Sequence, residues 1–200
     1  MLNFIRDFLA DRPVLFSWLR KIMELNFSKQ KKIIKETFDL KSGGKILDIG
    51  CGTGEFAGLF SQADYYGIDI SAQYIQYAAK NNKGSFKVME ATKLGFPDDS
   101  FDYILIMAML HHLNDGDAKR VLSEAKRVLR PEGKILIIED AKIEKLENSI
   151  DKFIQRYDKG AFIRTPDQYR NMAADFFLVN FEQSFRSGCF VYYSLVLKNN

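Results

Sequence analysis

The sequence has little of what small disulfide-rich or zinc-stabilised proteins depend on. It contains two cysteines, Cys51 and Cys189, which are too few for a disulfide framework or a four-ligand zinc site. Its longest stretch without Asp, Glu, Lys or Arg is residues 103–114, whereas a transmembrane helix needs about 20 apolar residues. Arg6 and Asp7 stand where a signal peptide would have its apolar segment. We therefore expect a soluble, cytoplasmic protein in a reducing compartment.

Prolines are also few, and no Gly-, Ser- or Pro-rich linker divides the chain. The hydrophobic content of 46% excludes a disordered protein, and 200 residues is the size of one α/β domain. A single domain over residues 1–200 is therefore predicted.

Charge is almost balanced, at a net +3, but it is unevenly distributed. Residues 1–45 contain ten Lys and Arg against five Asp and Glu. A basic N-terminal arm of this kind could bind an anionic substrate, a nucleic acid or a membrane surface. It is also what the solvated faces of ordinary helices contain.

The spacing of apolar residues changes along the chain. Residues 1–40 show helical spacing, and their aromatics Phe8, Phe16 and Trp18 either form a lid or pack against a sheet. Strand-like runs then alternate with helical stretches, which predicts crossover units and a parallel sheet. The strands are expected at residues 45–49, 65–70, 85–89, 103–108 and 134–139, and the helices near residues 55–61, 72–81 and 117–129.

This alternation ends after Glu139. Residues 141–177 predict one or two helices, the second beginning with Thr165 as N-cap and Pro166 in the first position. Residues 178–198 contain two apolar runs around Ser187 and Gly188, which predicts a terminal antiparallel hairpin.

The most informative segment is Asp48-Ile-Gly-Cys-Gly-Thr-Gly54, which lies between a predicted strand and a predicted helix. Glycines let the backbone adopt positive φ and approach a ligand closely, and free amides at a helix start bind polar groups. A dinucleotide fingerprint would have its third glycine at position 55, where this chain has Glu55. The carboxylates of Glu55 and Asp48 would repel a pyrophosphate and attract a cation. The loop therefore favours a positively charged ligand over NAD.

This segment resembles the glycine-rich first motif of the class I methyltransferases that use S-adenosylmethionine (SAM). Further motifs of that family follow in register. Residues 66–71 resemble the end of the second strand, residues 90–94 the loop beside adenine, residues 107–113 the end of the fourth strand, and residues 127–133 the turn before the fifth. The nearest subgroup is similar to the ubiquinone- and menaquinone-biosynthesis methyltransferases.

The resemblance implies an α/β fold, a Rossmann-like doubly wound sheet of seven strands in the order 3-2-1-4-5-7-6. The sheet would be mostly parallel with one antiparallel strand, and helices would cover both faces. Residues 41–140 would form the SAM-binding core, residues 1–40 a helical lid or arm, residues 141–177 a helical substrate cover and residues 178–198 the terminal hairpin.

The resemblance also implies SAM as the cofactor. Asp69 would accept hydrogen bonds from the ribose hydroxyls, and Glu90 stands where the family usually has Asp. A longer carboxylate still accepts a hydrogen bond from the adenine amino group. The residues expected at the cofactor are Asp48, Gly50, Cys51, Gly52, Gly54, Asp69, Ile70, Glu90, Ala91 and Met107.

Two histidines are the candidates for catalysis. His111 and His112 follow the fourth strand, at the carboxyl edge of the sheet where ligands of α/β proteins bind. A neutral imidazole there takes a proton from the acceptor as the methyl group arrives, and His112 is the first choice. In the alternative interpretation, one histidine hydrogen-bonds its own loop and the other faces solvent.

In the predicted cover, Tyr157 and Arg164 are the candidates for substrate binding. Arg164 either binds a carboxylate or phosphate in bidentate fashion or pairs with Asp158 or Asp167. No metal site is expected.

The expected function is transfer of a methyl group from SAM to a small, partly apolar molecule, because the cover is apolar and the sequence has no nucleic-acid-binding module. An RNA methyltransferase that uses the basic N-terminal arm is the first alternative. A non-catalytic SAM-binding or scaffold protein is the second.

Overall fold

Seven strands form one sheet in the computed structural model, which describes residues 21–39, 43–61, 63–142 and 162–199. The strand order is β3-β2-β1-β4-β5-β7-β6, and β7 runs antiparallel to both of its neighbours. The predicted fold class and strand order are therefore confirmed. The strands are β1 Lys45–Ile49, β2 Asp64–Asp69, β3 Ser85–Val88, β4 Phe101–Met107, β5 Leu129–Asp140, β6 Leu178–Ser187 and β7 Phe190–Lys198.

Four α-helices lie wholly within the described residues: α1 Ser28–Thr37, α2 Ala72–Asn81, α3 Asp115–Val128 and α4 Pro166–Ala174. The predicted start of α4 is confirmed, because Thr165 and Gln168 form a reciprocal capping box ahead of Pro166. Asn114 caps α3 by accepting a hydrogen bond from the Asp117 amide. No helix in the described part of the chain is long and apolar enough to cross a membrane.

The central strands are buried on both faces, which explains their unbroken apolar runs. In β4, Ile104 and Ile106 face the side covered by α3 and α4, whereas Leu105 and Met107 face the side covered by α1. This alternation places helices on both faces of the sheet, as expected. Because β1, β2, β4 and β5 are parallel, their carboxyl ends lie together at one edge of the sheet.

The helix predicted over residues 55–61 is not formed, and this prediction is wrong. The segment contains only a 3₁₀ turn, Ala57–Leu59. Gly58 lowers the helix propensity of so short a segment, and the buried side chains of Phe56 and Phe60 fix the backbone by tertiary packing instead. The glycine loop is therefore followed by turns rather than by an α-helix.

The segment before α1 packs on the tip of the β6–β7 hairpin. The Cys189 amide donates to the Met23 carbonyl at 3.2 Å. The fully buried Glu24 carboxylate accepts hydrogen bonds from Gln30 and from Tyr192 of β7. Because a buried carboxylate is costly without partners, these bonds fix where the segment lies.

Three consecutive residues of this segment, Leu25, Asn26 and Phe27, have φ values of 51°, 57° and 56°. They form one left-handed turn of non-glycine residues directly before the right-handed α1. Phe27 is buried edge-on against Phe56, with ring centroids 5.6 Å apart, so packing holds the unfavourable backbone in place. The expected aromatics Phe8, Phe16 and Trp18 lie outside the described residues, and so does Tyr157.

Candidate active site

The glycine loop after β1 is tied to the neighbouring strand by its backbone. The amides of Gly50 and Cys51 both donate to the Ile68 carbonyl, at 2.8 and 2.9 Å. Gly50 has φ +77°, and a Cβ built there would lie 2.6 Å from Cγ of Met109. Only glycine therefore fits where the loop meets the turn that follows β4.

The acid at the end of β2 is held by two amides. The Gly52 amide donates to Oδ2 of Asp69 at 3.0 Å, and the Ser71 amide donates to Oδ1 at 2.8 Å. Each carboxylate oxygen keeps a further lone pair for a ligand. Gly52 has φ +53° and no atom lies within 4 Å of a Cβ built on it, so the loop faces open space here. Beside it, the Ile70 side chain is 78% exposed.

Asp48 lies under the loop, buried, and accepts a hydrogen bond from the Tyr65 hydroxyl at 2.5 Å. Burial raises the pKa of Asp48 from the ordinary 3.8 to about 7; the Tyr65 hydrogen bond opposes this change and the charge of Asp69 adds to it. Burial, followed by the charges of Asp48 and Asp69, also raises the pKa of the Cys51 thiol well above its usual range. Cys51 is therefore a neutral thiol under the loop.

Glu55 does not present a free charge to the loop. Its carboxylate pairs with Lys21 at 2.9 Å and with Lys31 at 3.1 Å. The argument that the Glu55 charge attracts a cationic ligand is thus wrong, because two lysines compensate it. The attraction expected of Asp48 is reduced, because burial raises its pKa to about 7 and leaves the carboxyl group only partly ionised near neutral pH. Asp69 is the acid that the loop leaves open to a ligand.

The loop after β3 lies next to Asp69, because the Met89 amide donates to the Asp69 carbonyl at 3.0 Å. Glu90 is exposed, and its Oε1 accepts a hydrogen bond from Thr92 at 2.5 Å. Ala91 is half-buried. The cofactor candidates of β2 and β3 therefore share one edge with the glycine loop.

Two residues of α3, Arg127 and Glu124, fix residues 94–98, which follow this loop. Arg127 donates to the carbonyls of Leu94 and Phe96, to Asp98 and twice to Glu124, so all five of its N–H groups are used. Glu124 in turn accepts the Leu94 amide at 2.7 Å.

The turn after β4 carries both histidines, and the two rings have different surroundings. The His111 ring is 2% exposed, with Nδ1 2.7 Å from Oε2 of Glu139 and Nε2 3.8 Å from Oδ2 of Asp140. The His112 ring is exposed and lies against His111, with ring centroids 4.1 Å apart. Met107, at the end of β4, is buried beneath this turn.

Arg164 is placed inside the protein rather than towards an open pocket. It is 5% exposed, and its guanidinium donates to Asp115 and to the carbonyls of Leu110, Leu113 and Phe162. These contacts use all five N–H groups, so none remains for a substrate anion. Its acidic partner is Asp115, not Asp167, and Asp158 lies outside the described residues.

Sequence reasoning missed three residues of this region: Tyr65, Glu139 and Asp140. Tyr65 stands next to Tyr66 in a strand, where aromatic residues are common, so nothing in the sequence singled it out. Glu139 and Asp140 did carry a signal, because this adjacent acidic pair directly follows the apolar run of residues 135–138, at the edge where ligands bind.

A seven-stranded sheet with an antiparallel strand between β5 and β6, and a glycine loop facing an acid at the end of β2, defines a Rossmann-like protein of the methyltransferase type. A family model described as a methyltransferase domain matches residues 47–137. Residues 47–137 are thus similar to a methyltransferase domain, and the sheet has the fold of the class I methyltransferases, whose cofactor is SAM.

Individual relatives differ in what their names say they methylate. The ubiquinone/menaquinone biosynthesis C-methyltransferase UbiE of Burkholderia mallei is 28% identical over 149 residues, which cover 68% of this chain and 60% of that protein. A tRNA (carboxymethyluridine(34)-5-O)-methyltransferase of Arabidopsis thaliana is 33% identical over 112 residues, which cover 56% of this chain and 28% of that protein. The chain thus spans less than two thirds of the length of either relative.

A solved structure agrees with the fold. A SAM-dependent methyltransferase from Methanosarcina mazei superposes with a TM-score of 0.70 at 21% identity, over 84% of this chain and 96% of that one.

Proposed function

We propose that this protein is a SAM-dependent methyltransferase whose methyl acceptor is a small, partly apolar molecule. The observation that carries the proposal is the pairing of the Gly52 amide with Asp69 beside open space, since it presents a fixed carboxylate where a ribose would need one. The exposed apolar side chain of Phe162 supports an acceptor with apolar parts. The similarity to a quinone-biosynthesis C-methyltransferase supports the same acceptor class.

The residues of the carboxyl edge fit the cofactor of the family. Asp69 would accept from the two ribose hydroxyls, and Ile70, Glu90 and Ala91 would surround the adenine. The glycines at 50, 52 and 54 would let the backbone approach the methionine part, with Asp48, Cys51 and Met107 beneath it. When bound, SAM supplies a methyl group activated on a sulfonium, so this chain mainly has to align the acceptor with it.

A proton acceptor is needed only where the nucleophile arrives protonated. His112 is the residue proposed for this role, because its ring is exposed at the carboxyl edge, whereas the buried His111 ring cannot reach an acceptor in this conformation. In its neutral form, one ring nitrogen of His112 has a lone pair that would take the proton from the acceptor. Tyr157 remains a candidate acceptor contact.

RNA methylation is the second candidate, since a relative named as a tRNA methyltransferase is 33% identical to part of this chain. The structure gives this candidate limited support in the described part of the N-terminal region. Lys21 and Lys31 are paired with Glu55, and Lys32 is paired with Glu36, which reduces the positive charge that this region offers to phosphates.

The cofactor part of the proposal is tested by calorimetry with SAM and S-adenosylhomocysteine (SAH). We expect Asp69→Asn to weaken SAH binding by about 10- to 100-fold, because hydrogen bonds to a charged acceptor contribute about 1.5–3 kcal/mol. Glu55→Gln is the matched control and should change the affinity less than about threefold, since its charge is already compensated by lysines. Absence of binding of either compound at millimolar concentration would refute the proposal.

The acceptor part is tested by SAH formation with a panel of phenols, quinols, amines and carboxylic acids, beside total tRNA. Turnover of a small molecule supports the proposal. Methylation of tRNA that falls steeply with salt would instead establish the RNA candidate. Cofactor binding without turnover on any acceptor would favour a SAM-binding scaffold.

A further inference from the structure

The turn that carries the histidines has little regular structure of its own. Ala108 before it has φ +49°, and the 3₁₀ turn Leu110–His112 contains only three residues. Within the turn, the backbone hydrogen bonds are from the His112 amide to the Met109 carbonyl and from the Leu113 amide to the Leu110 carbonyl, both at 3.1 Å. Since buried backbone groups need partners, the remaining amides and carbonyls must be satisfied from outside.

Glu139 supplies the acceptors for one side of the turn. Its Oε1 accepts the amides of Met109 and Leu110 at 2.8 and 2.7 Å, and its Oε2 accepts the His111 amide at 3.4 Å. The same Oε2 lies 2.7 Å from Nδ1 of His111. Because a carboxylate only accepts hydrogen bonds, Nδ1 of His111 carries the hydrogen. The carboxylate is 1% exposed, so these donors replace its lost hydration.

Arg164 supplies the donors for the other side. Its guanidinium donates to the carbonyls of Leu110 at 2.9 Å and Leu113 at 2.7 Å. The Phe162 amide donates to the His111 carbonyl at 3.0 Å, so the same segment satisfies a third carbonyl of the turn. Asp115, at the start of α3, accepts two further bonds from Arg164 and balances its charge.

The peptide groups of the turn thus lie between a buried anion that receives their amides and a buried cation that binds their carbonyls. Charge-assisted hydrogen bonds are stronger and more directional than neutral ones, and both side chains come from elements outside the turn. We propose that Glu139 and Arg164 are positioning residues, a two-sided clamp that sets where the turn presents His112 at the carboxyl edge. This rests on the proposed function only for the role of His112; the clamp itself is a property of the apo protein.

The test uses nuclear magnetic resonance of the full chain without any acceptor, with ¹⁵N-histidine labelling for the ring signals and uniform ¹⁵N labelling for amide exchange. The chain has two histidines, so His112→Gln assigns both rings. In the unaltered protein we expect His111 to show one tautomer with the hydrogen on Nδ1. Arg164→Met keeps an unbranched side chain but removes the guanidinium. It should produce a mixture of His111 tautomers and at least about tenfold faster amide exchange across residues 109–113. Glu139→Gln should change the same signals.

Arg127→Met is the matched control, because Arg127 also uses five N–H groups but holds the loop at residues 94–98. It should change SAH affinity and leave the His111 tautomer and the exchange of residues 109–113 unaltered. Arg164→Met should do the reverse, with SAH affinity within about threefold of the parent. Unchanged histidine signals in Arg164→Met, or an equal change in Arg127→Met, would overturn the clamp.

Arg164→Lys guards against a variant that does not fold, since a lysine keeps the charge and up to three donors. It should restore part of the slow exchange and the single tautomer. If Arg164→Met does not fold, Arg164→Lys becomes the test. The clamp is then equally overturned if the amide signals of Arg164→Lys change throughout the protein rather than in the turn. Failure of SAM and SAH to bind would contradict the proposed function and leave these readouts unaffected.

Discussion

The Asp48→Asn variant should be more stable than the parent protein at alkaline pH. Asp48 is 2% exposed, and its pKa is raised from 3.8 to about 7, chiefly by burial. Between these two values the folded protein holds a proton that the unfolded chain has already released. The free energy of unfolding of the parent therefore falls as the pH rises through this window, and the loss is complete above about pH 7.

The size of this effect follows from the two pKa values. A tenfold change in proton affinity corresponds to about 1.4 kcal/mol. Over the full interval between the two pKa values, the free energy of unfolding of the parent therefore falls by about 4 kcal/mol. An asparagine at position 48 has no proton to lose and keeps an oxygen that accepts the Tyr65 hydroxyl hydrogen. The stability difference between Asp48→Asn and the parent should thus grow by about 3 kcal/mol from pH 4.5 to pH 8, because the remainder of the change lies below pH 4.5.

Urea unfolding followed by circular dichroism at several pH values measures this difference. Asp102→Asn is a control of opposite sign. Although burial opposes it, hydrogen bonds from the Lys45 amide and Arg130 lower the pKa of Asp102, so that carboxylate stabilises the fold at neutral pH and its contribution is lost on acidification. A stability difference for Asp48→Asn that is constant with pH, or that shrinks towards pH 8, would refute the reasoning.

Three glycine substitutions test the loop and the hairpin tip. Gly52→Ala meets no atom within 4 Å, so it should cost only about 1–2 kcal/mol of stability for its positive φ but weaken SAH binding about tenfold or more; calorimetry showing parental affinity would contradict a ligand there. Gly50→Ala, with its Cβ 2.6 Å from the methionine of the β4 turn, should cost about 3 kcal/mol or more in urea unfolding, and equal stability of the two variants would refute this ranking. Gly188→Ala would place a Cβ 1.8 Å from the Met23 carbonyl oxygen, so residues 21–27 should leave the hairpin tip, seen as faster exchange of the Cys189 amide; unchanged exchange would show that the contact is dispensable.

The parts of the fold that the sequence predicts are those that depend on local pattern. Strands such as β1 Lys45–Ile49 are buried on both faces, so their apolar runs stand out against the helices between them. The same local logic predicts the capping box of Thr165. The strand order could be expected because five motifs resemble one family, whereas periodicity alone indicates only a parallel sheet.

What the sequence could not predict depends on residues that are distant along the chain. The charge of Glu55 looks free until the fold brings Lys21 and Lys31 to it. The helix expected after the glycine loop is replaced by turns because Phe56 and Phe60 pack into the core, and tertiary packing overrides a weak local preference. Arg164 has acidic neighbours in sequence, yet its partner Asp115 lies 49 residues away.

The left-handed turn Leu25–Phe27 has a mechanical consequence for the chain that precedes α1. A turn of opposite hand cannot share the hydrogen-bond pattern of a right-handed helix, so α1 begins at Ser28 and cannot extend towards the N-terminus. The preceding residues and α1 therefore form two separate segments that meet at a sharp turn, rather than one continuous helix. Their directions are set separately, by the hairpin tip for the first and by the sheet face for the second, so a displacement of one need not twist the other.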